Sequence, residues 1–268
     1  MDKVLVIIPA YNEALNIERV VTGLQEEYPI FDYVIVNDGS ADETAAVCRR
    51  CGFHLIDLPV NLGLAGAFQT GLKYAYRKGY RYAIQFDGDG QHRPEYIEAM
   101  REKMDEGYDI VIGSRFVTEK KPNSMRMLGS RLLSAAIRLT TGVSVADPTS
   151  GMRMFNERMI REFAEGLNYG PEPDTISYLL KQGARVAEIQ VTMDENPRRE
   201  LLKACERRSL HGENDVFHPA GAEFQETRLR IREGRMYDDR YTSVGTDNSF
   251  HTADIFRAEK DPSVQGKD

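Results

Sequence analysis

The sequence predicts an α/β layered domain with a mostly parallel central sheet over residues 1–195, followed by a poorly structured tail over residues 196–268. Three observations carry this. Short runs of branched apolar residues alternate with longer helical patterns from Val4 to Val191. Several of those runs are apolar at every position, as strands covered on both faces are. Polar clusters rich in Asp, Asn and Gly follow the runs, where such sheets bind their ligands.

The elements follow in order. Val4–Ile8 reads as a buried strand stopped by Pro9, and Ala10-Tyr11-Asn12-Glu13 leads into a helix ending near Gln25. Tyr33–Val36 is the second strand and ends in Asn37-Asp38-Gly39-Ser40. Ser40, with Glu43 at capping-box spacing, predicts the start of a helix over Asp42–Arg50. Phe53–Leu58 is a weaker strand, and Asn61-Leu62-Gly63 opens a helix to about Lys78. The fourth strand begins at Tyr82 and runs into Asp87-Gly88-Asp89-Gly90-Gln91-His92. Pro94-Glu95 starts a helix to Glu106, and Tyr108–Ile112 is a strand leading into Gly113-Ser114-Arg115. An amphipathic, basic-flanked helical pattern lies within 122–145, Thr175–Gln182 is a helix with Asp174 as its expected N-cap, and Val186–Val191 is a last strand.

Asp87 and Asp89, one residue apart on an extended chain, point the same way, and Gly88 and Gly90 let the backbone turn and approach a ligand. Two hard carboxylates at a strand mouth suit Mg²⁺ or Mn²⁺ shared with substrate phosphates. A polar turn is the plain alternative for this stretch taken alone. Glu13, Asp38, Asp87 and Asp89 all follow strand ends, an acidic rim suited to a cation or to the hydroxyls and base of a nucleotide. The chain lacks the glycine fingerprints of dinucleotide oxidoreductases and P-loop NTPases. A net charge of −7 argues against nucleic acid as a partner. No apolar run approaches a bilayer span, and no signal peptide is read at the start. Three cysteines without metal spacing fit a reducing cytoplasm, and Cys48 and Cys51 read as packing residues of a helix end.

Pro9-Ala10-Tyr11-Asn12-Glu13, Asn37-Asp38-Gly39-Ser40, Asn61-Leu62-Gly63, Asp87-Gly88-Asp89-Gly90-Gln91-His92 and Gly113-Ser114-Arg115 occur in an order that resembles family 2 glycosyltransferases of the GT-A (Rossmann-like) fold. The set is most similar to the polyprenyl-phosphate or dolichol-phosphate mannosyltransferase branch, and it spans about residues 3–195. Asp147-Pro148-Thr149-Ser150-Gly151-Met152-Arg153 resembles a further element of that branch, with Met152 where an aromatic is usual. Asn37 replaces a frequent Asp and Gly88 a frequent Ala.

The resemblance implies an inverting transfer of a sugar from a UDP- or GDP-linked donor to an acceptor, polyprenyl phosphate or a glycan, in cell-envelope glycan synthesis. It implies that Pro9, Tyr11, Glu13, Asp38, Gly39, Gly63, Asp87 and Gly88 bind the nucleotide sugar. Asp87, Asp89 and Gln91 would hold the Mg²⁺ or Mn²⁺. Ser114, Arg115, Arg126 and Arg131 are the expected acceptor-phosphate contacts, guanidinium being suited to bidentate phosphate binding. Asp89, Arg115, Arg153, Glu172 and Asp174 are the expected catalytic group; a hydroxyl acceptor needs a carboxylate base, whereas a phosphate acceptor is already anionic. The location implied is cytoplasmic, with peripheral contact at the inner membrane face through the 122–145 segment, for which ordinary packing is the alternative. A non-catalytic nucleotide-sugar binding protein is the rival reading of function. The lack of an early Gly-rich phosphate loop counts against a nucleotidylyltransferase.

After Glu195 the character changes. Residues 196–268 hold 14 Val, Ile, Leu, Met and Phe among 73, too few for a packed core. Back-translated and read one nucleotide out of frame, with suitable codons, Leu201–Thr227 gives YLKPVNAVRYMVRMTFSILLVQNFRK, preceded by Gly-Glu-Ser from Arg198–Leu201. That peptide fits the segment with which the family continues. The expectation is a frameshift in the coding sequence near Asn196, which leaves nucleotide binding intact and alters the acceptor side. A divergent native tail is the alternative, and sequencing the coding DNA separates the two.

Overall fold

The computed structural model describes residues 3–119, 121–122, 125–166 and 173–194. These lie within one compact unit, Met1–Asn214; a second unit, Asp215–Asp268, lies outside the described residues, as does the expected tail from residue 196. Among the described residues seven strands form one sheet: β1 (Val4–Ala10), β2 (Asp32–Asp38), β3 (Leu55–Leu58), β4 (Tyr82–Gln85), β5 (Ile110–Ser114), β6 (Arg153–Asn156) and β7 (Val186–Gln190). Their order is β3-β2-β1-β4-β6-β5-β7. Every pairing is parallel except those of β6, which runs antiparallel to both β4 and β5.

The β1 run is apolar throughout because it is central. Val4, Val6 and Ile8 enter one core, with Val20 and Leu24 of α1 (Ile17–Glu27) and Met100 of α4 (Tyr96–Asp105). Leu5 and Ile7 point the other way, to Phe68 and Leu72 of α3 (Gly63–Lys78) and Phe163 of α6 (Glu157–Glu165). The remaining helices are α2 (Thr44–Arg50), α5 (Met125–Thr141) and α7 (Pro173–Lys181).

The parallel layered architecture matches the sequence prediction. The reversal at β6 and the helix α6 were not read. Four buried residues, Met152–Phe155, carry no alternation that distinguishes a short antiparallel strand from a loop. The capping box at Ser40 is corrected: α2 begins at Thr44 without a side-chain cap bond. The Ser40 hydroxyl instead accepts the Asn12 N–H at 3.0 Å and donates to Asn37 Oδ1 at 2.5 Å. Asp174 is likewise no N-cap, since α7 starts at Pro173 and Asp174 sits in its first turn. Cys48 is buried and reduced, and burial pushes its thiol up to about 11, which suits packing rather than redox chemistry.

Candidate active site

The loops after β1 to β5 leave the carboxyl ends of their strands. After β1, Asn12 adopts φ +57°, a turn that Asn tolerates better than most residues. Its carboxamide Oδ1 accepts the Ala41 N–H at 2.9 Å, and Thr44 Oγ1 accepts the Glu13 N–H at 2.9 Å. The β1 and β2 loops are thereby one hydrogen-bonded unit. Asp38, almost fully buried, joins the third loop to them by accepting the Leu62 N–H at 2.7 Å. Gly39 has φ +62°, and a Cβ there would sit 2.6 Å from the Val60 carbonyl carbon, so this close crossing requires glycine.

These loops enclose a cavity of about 270 Å³ lined by Pro9, Tyr11, Asp38 and Gly63, with Asn61 and Leu64. Four residues from three separate sequence motifs thus meet around one space. Tyr11 is half exposed, a ring face open to a planar ligand. Glu13 is turned elsewhere, its Oε2 accepting Asn16 Nδ2 at 2.7 Å.

The acidic loop follows β4. Phe86 is buried and Asp87 emerges at the surface, its side chain about a third exposed. Asp89 Oδ1 accepts the Gln91 N–H at 3.0 Å, and the Asp194 N–H donates to the Gln91 carbonyl at 2.9 Å. A salt bridge of 2.8 Å between Arg93 and Asp194 closes the loop from outside. A Cβ on Gly88 would lie 3.3 Å from the Pro9 carbonyl oxygen, so the frequent Ala would need the β1 backbone to give slightly. Among the described residues no three His, Cys, Asp or Glu come together as a self-sufficient metal site. Two carboxylates do fit a Mg²⁺ or Mn²⁺ that takes its remaining ligands from water and a diphosphate.

The loop before β6 is held by one ion pair and by hydrogen bonds to backbone groups. Arg115 Nε and Nη2 donate to Asp147 Oδ2 and Oδ1 at 2.8 and 3.1 Å. Burial pushes the Asp147 carboxyl up, but the Arg115 guanidinium and the Thr149 hydroxyl outweigh it and hold it below its ordinary value. Glu188 accepts the Ala146 and Asp147 N–H groups at 2.6 and 2.8 Å, and Ser150 Oγ donates to the Gly113 carbonyl at 2.5 Å.

This geometry changes several expectations. Arg115 is engaged by Asp147 rather than presented alone to a phosphate. Arg153 is 1% exposed and donates to the Pro148 carbonyl at 2.7 Å, so it shapes the 147–151 loop from beneath. Ser114 is fully buried, its Oγ accepting the Phe116 N–H at 3.3 Å. Arg131 does line a cavity, of about 700 Å³, together with Phe116, Lys121 and Ser134. Arg126 belongs to α5, but its side chain, like all of Glu172, lies outside the described residues.

Sequence reasoning missed Lys121, which donates to Ser130 Oγ at 2.8 Å and Ser134 Oγ at 3.2 Å, and whose ammonium pKa burial lowers. The two serines one turn apart were the available signal. His92 was read only as part of a motif. It is buried, and its Nδ1 accepts the Asp87 N–H at 2.9 Å.

Residues 5–163 match the family model described as Glycosyl transferase family 2. The chain belongs to that family. Its relatives include the polyprenol monophosphomannose synthase of Mycolicibacterium smegmatis, 28% identical over 72% of this chain and 78% of that protein. The undecaprenyl-phosphate mannosyltransferase of Micrococcus luteus is 29% identical over 72% of this chain and 84% of its own length. The UDP-N-acetylglucosamine–dolichyl-phosphate N-acetylglucosaminyltransferase of Methanococcus voltae is 32% identical over 62% and 74%. Among solved structures, glucosyl-3-phosphoglycerate synthase of Mycobacterium tuberculosis, in complex with Mn²⁺, UDP and phosphoglyceric acid, superposes with a TM-score of 0.55 at 20% identity, covering 80% of each chain. That likeness establishes the GT-A-like fold of this family 2 glycosyltransferase.

Proposed function

We propose that this glycosyltransferase moves a sugar from a nucleoside diphosphate sugar to a polyprenyl phosphate, with inversion by in-line displacement. The observation that carries this is the cavity formed by Pro9, Tyr11, Asp38 and Gly63, with Asp87 and Asp89 following the neighbouring central strand. The base and ribose occupy the cavity, and the diphosphate lies toward the two carboxylates. Asp87 and Asp89, with Gln91, hold Mg²⁺ or Mn²⁺, which when bound neutralises charge on the departing nucleoside diphosphate. Tyr11 and Asp38 orient the nucleoside. Lys121 and Arg131 hold the acceptor phosphate, whose own oxygen is the nucleophile. Names of three relatives specify lipid-phosphate acceptors. We assign this activity to residues 1–195 and read residues 196–268 as the product of a frameshift, which sequencing the coding DNA tests.

Calorimetry with UDP and with GDP, with and without Mn²⁺, tests the donor site. The expected result is Mn²⁺-dependent binding of one nucleotide. No binding of either overturns the reading.

The same proposal puts the chain in the cytoplasm, against the inner membrane face. Met125, Leu128, Leu132 and Leu139 recur at helical spacing on α5 and are between 46% and 90% exposed. Residues 120–146 carry five Lys and Arg and no Asp or Glu, in a chain of net charge −7. Two copies of such a helix repel one another, whereas an anionic lipid surface attracts it. No helix among the described residues is long and apolar enough to cross a membrane. Sedimentation with phosphatidylglycerol vesicles is expected to bring the protein down, and Leu132→Ser with Leu139→Ser to release it. Equal binding to phosphatidylcholine vesicles, or by the double variant, refutes this surface.

A further inference from the structure

We infer that His92 is a positioning residue for the cation site, fixing the Asp87 carboxylate; this rests on the donor-site reading above. The imidazole is 5% exposed and packs edge-on to Phe86, with ring centroids 5.5 Å apart. Its Nδ1 accepts the Asp87 backbone N–H at 2.9 Å, so that nitrogen carries no proton. The ring proton is therefore on Nε2, which lies 3.4 Å from Asp87 Oδ2. One ring thus holds the same residue by its backbone and brings its other nitrogen near the carboxylate.

The 147–151 loop confines the carboxylate further. A Cβ on Gly151 would stand 3.1 Å from Asp87 Oδ2 and 3.5 Å from His92 Cε1, so a glycine lets the loop close against both. Gln85, 1% exposed, places its Nε2 3.4 Å from Asp87 Oδ1. A carboxylate on a free loop samples several rotamers, and each must be given up when a cation binds. A carboxylate already confined by the imidazole edge, the Gln85 amide and a closed backbone gives up less, which is how surrounding groups raise the affinity of a metal ligand. A histidine present only for packing has no reason to face one carboxylate with one nitrogen and that residue's amide with the other.

The test is calorimetry of the full chain with UDP and with GDP, with and without Mn²⁺, on wild type, His92→Ala, His92→Gln, His92→Asn and Gly151→Ala. Electron paramagnetic resonance of Mn²⁺ gives an independent measure of the ion. His92→Ala is expected to lower the Mn²⁺-dependent gain in nucleotide affinity about tenfold and to leave metal-free nucleotide binding unchanged. Asn returns an acceptor for the Asp87 N–H, Gln returns an N–H toward the carboxylate, and each is expected to recover part of the loss. Gly151→Ala is expected to weaken Mn²⁺ binding with His92 untouched, and it carries the test if His92→Ala does not fold. Equal losses with and without Mn²⁺ mean a general structural role and overturn the inference, as does unchanged Mn²⁺ binding in both His92→Ala and Gly151→Ala. If wild type itself shows no Mn²⁺-dependent binding, the donor-site reading fails first and takes this inference with it.

Discussion

The half from β1 to β4, to which we assign the donor, and the half from β5 to β7 with α5, to which we assign the acceptor, are built differently. In the donor half, parallel strands deliver three successive loops that are joined by short polar side chains accepting backbone N–H groups: Asn12, Ser40, Thr44 and Asp38. In the acceptor half an antiparallel strand, β6, returns the chain between β4 and β5. The loop before it is held by Arg115–Asp147, by Glu188 and by the buried Arg153. The β1 to β4 loops are fixed by hydrogen bonds from backbone N–H groups, and Asp87 and Asp89 take no part in that seam. On the β5 to β7 side Arg115 is engaged in an ion pair with Asp147, and Lys121 and Arg131 line the cavity.

The sharpest separation comes from removing one group in each half. Asp89→Ala is expected to lower transfer at least about a hundredfold with little change in melting temperature, because Asp89 sits on a surface loop. Asp147→Ala is expected to do the reverse. It leaves Arg115 facing a buried hole, a loss of about 2–4 kcal/mol in stability, reduced from a fully buried pair because Arg115 is partly exposed, while Mn²⁺-dependent nucleotide affinity stays near wild type. Chemical denaturation and calorimetry on both variants check this. If Asp147→Ala abolishes nucleotide binding in a folded protein, the two halves are not separable and the comparison fails.

The same division decided what the sequence revealed. That Tyr11, Asp38, Gly63, Asp87 and Asp89 lie toward one edge of the sheet was readable because a residue that follows an apolar run in a parallel sheet has only one end to occupy, whereas Pro9, expected to stop the first strand, lies within β1 and pairs with Val36. Arg115 and Arg153 were equally visible, yet their surroundings were not. Their environments depend on a partner 32 residues away in one case and on a four-residue strand of reversed direction in the other. Ser40 misled for a related reason: its spacing to Glu43 fits a local cap, but a tertiary contact to Asn12 claimed the hydroxyl. His92 and Gly151, from motifs some 60 residues apart, show no relation in one dimension and meet only at Asp87.

Gly39→Ala probes the seam of the donor half. The added methyl meets the Val60 carbonyl carbon at 2.6 Å in a left-handed backbone, with backbone rather than a flexible side chain in the way. The expected cost is about 1–3 kcal/mol, with weaker nucleotide binding because the 60–63 segment lines the cavity. A stable variant with unchanged affinity shows that the loops move independently.

The smallest expected effect is that of pH, and it falls on the acceptor half. Asp147 and Asp109 are both pushed up by burial and held lower still by their partners, Arg115 for one and Arg158, Asn156 and the Arg185 N–H for the other. With folded values below the ordinary Asp value of about 3.9, the unfolded chain binds more protons in acid than the native chain, so stability rises with pH there. The contribution is complete above the ordinary carboxylate range and is lost as pH falls through the folded values. Denaturation midpoints are expected to be level from about pH 7 to about pH 5 and to drop below that. In Asp147→Asn the acid slope is expected to be shallower than in wild type, since one of the two groups no longer titrates. An unchanged slope means that the Arg115–Asp147 pair does not carry acid sensitivity, and that the acceptor half owes its stability to the apolar faces beneath it.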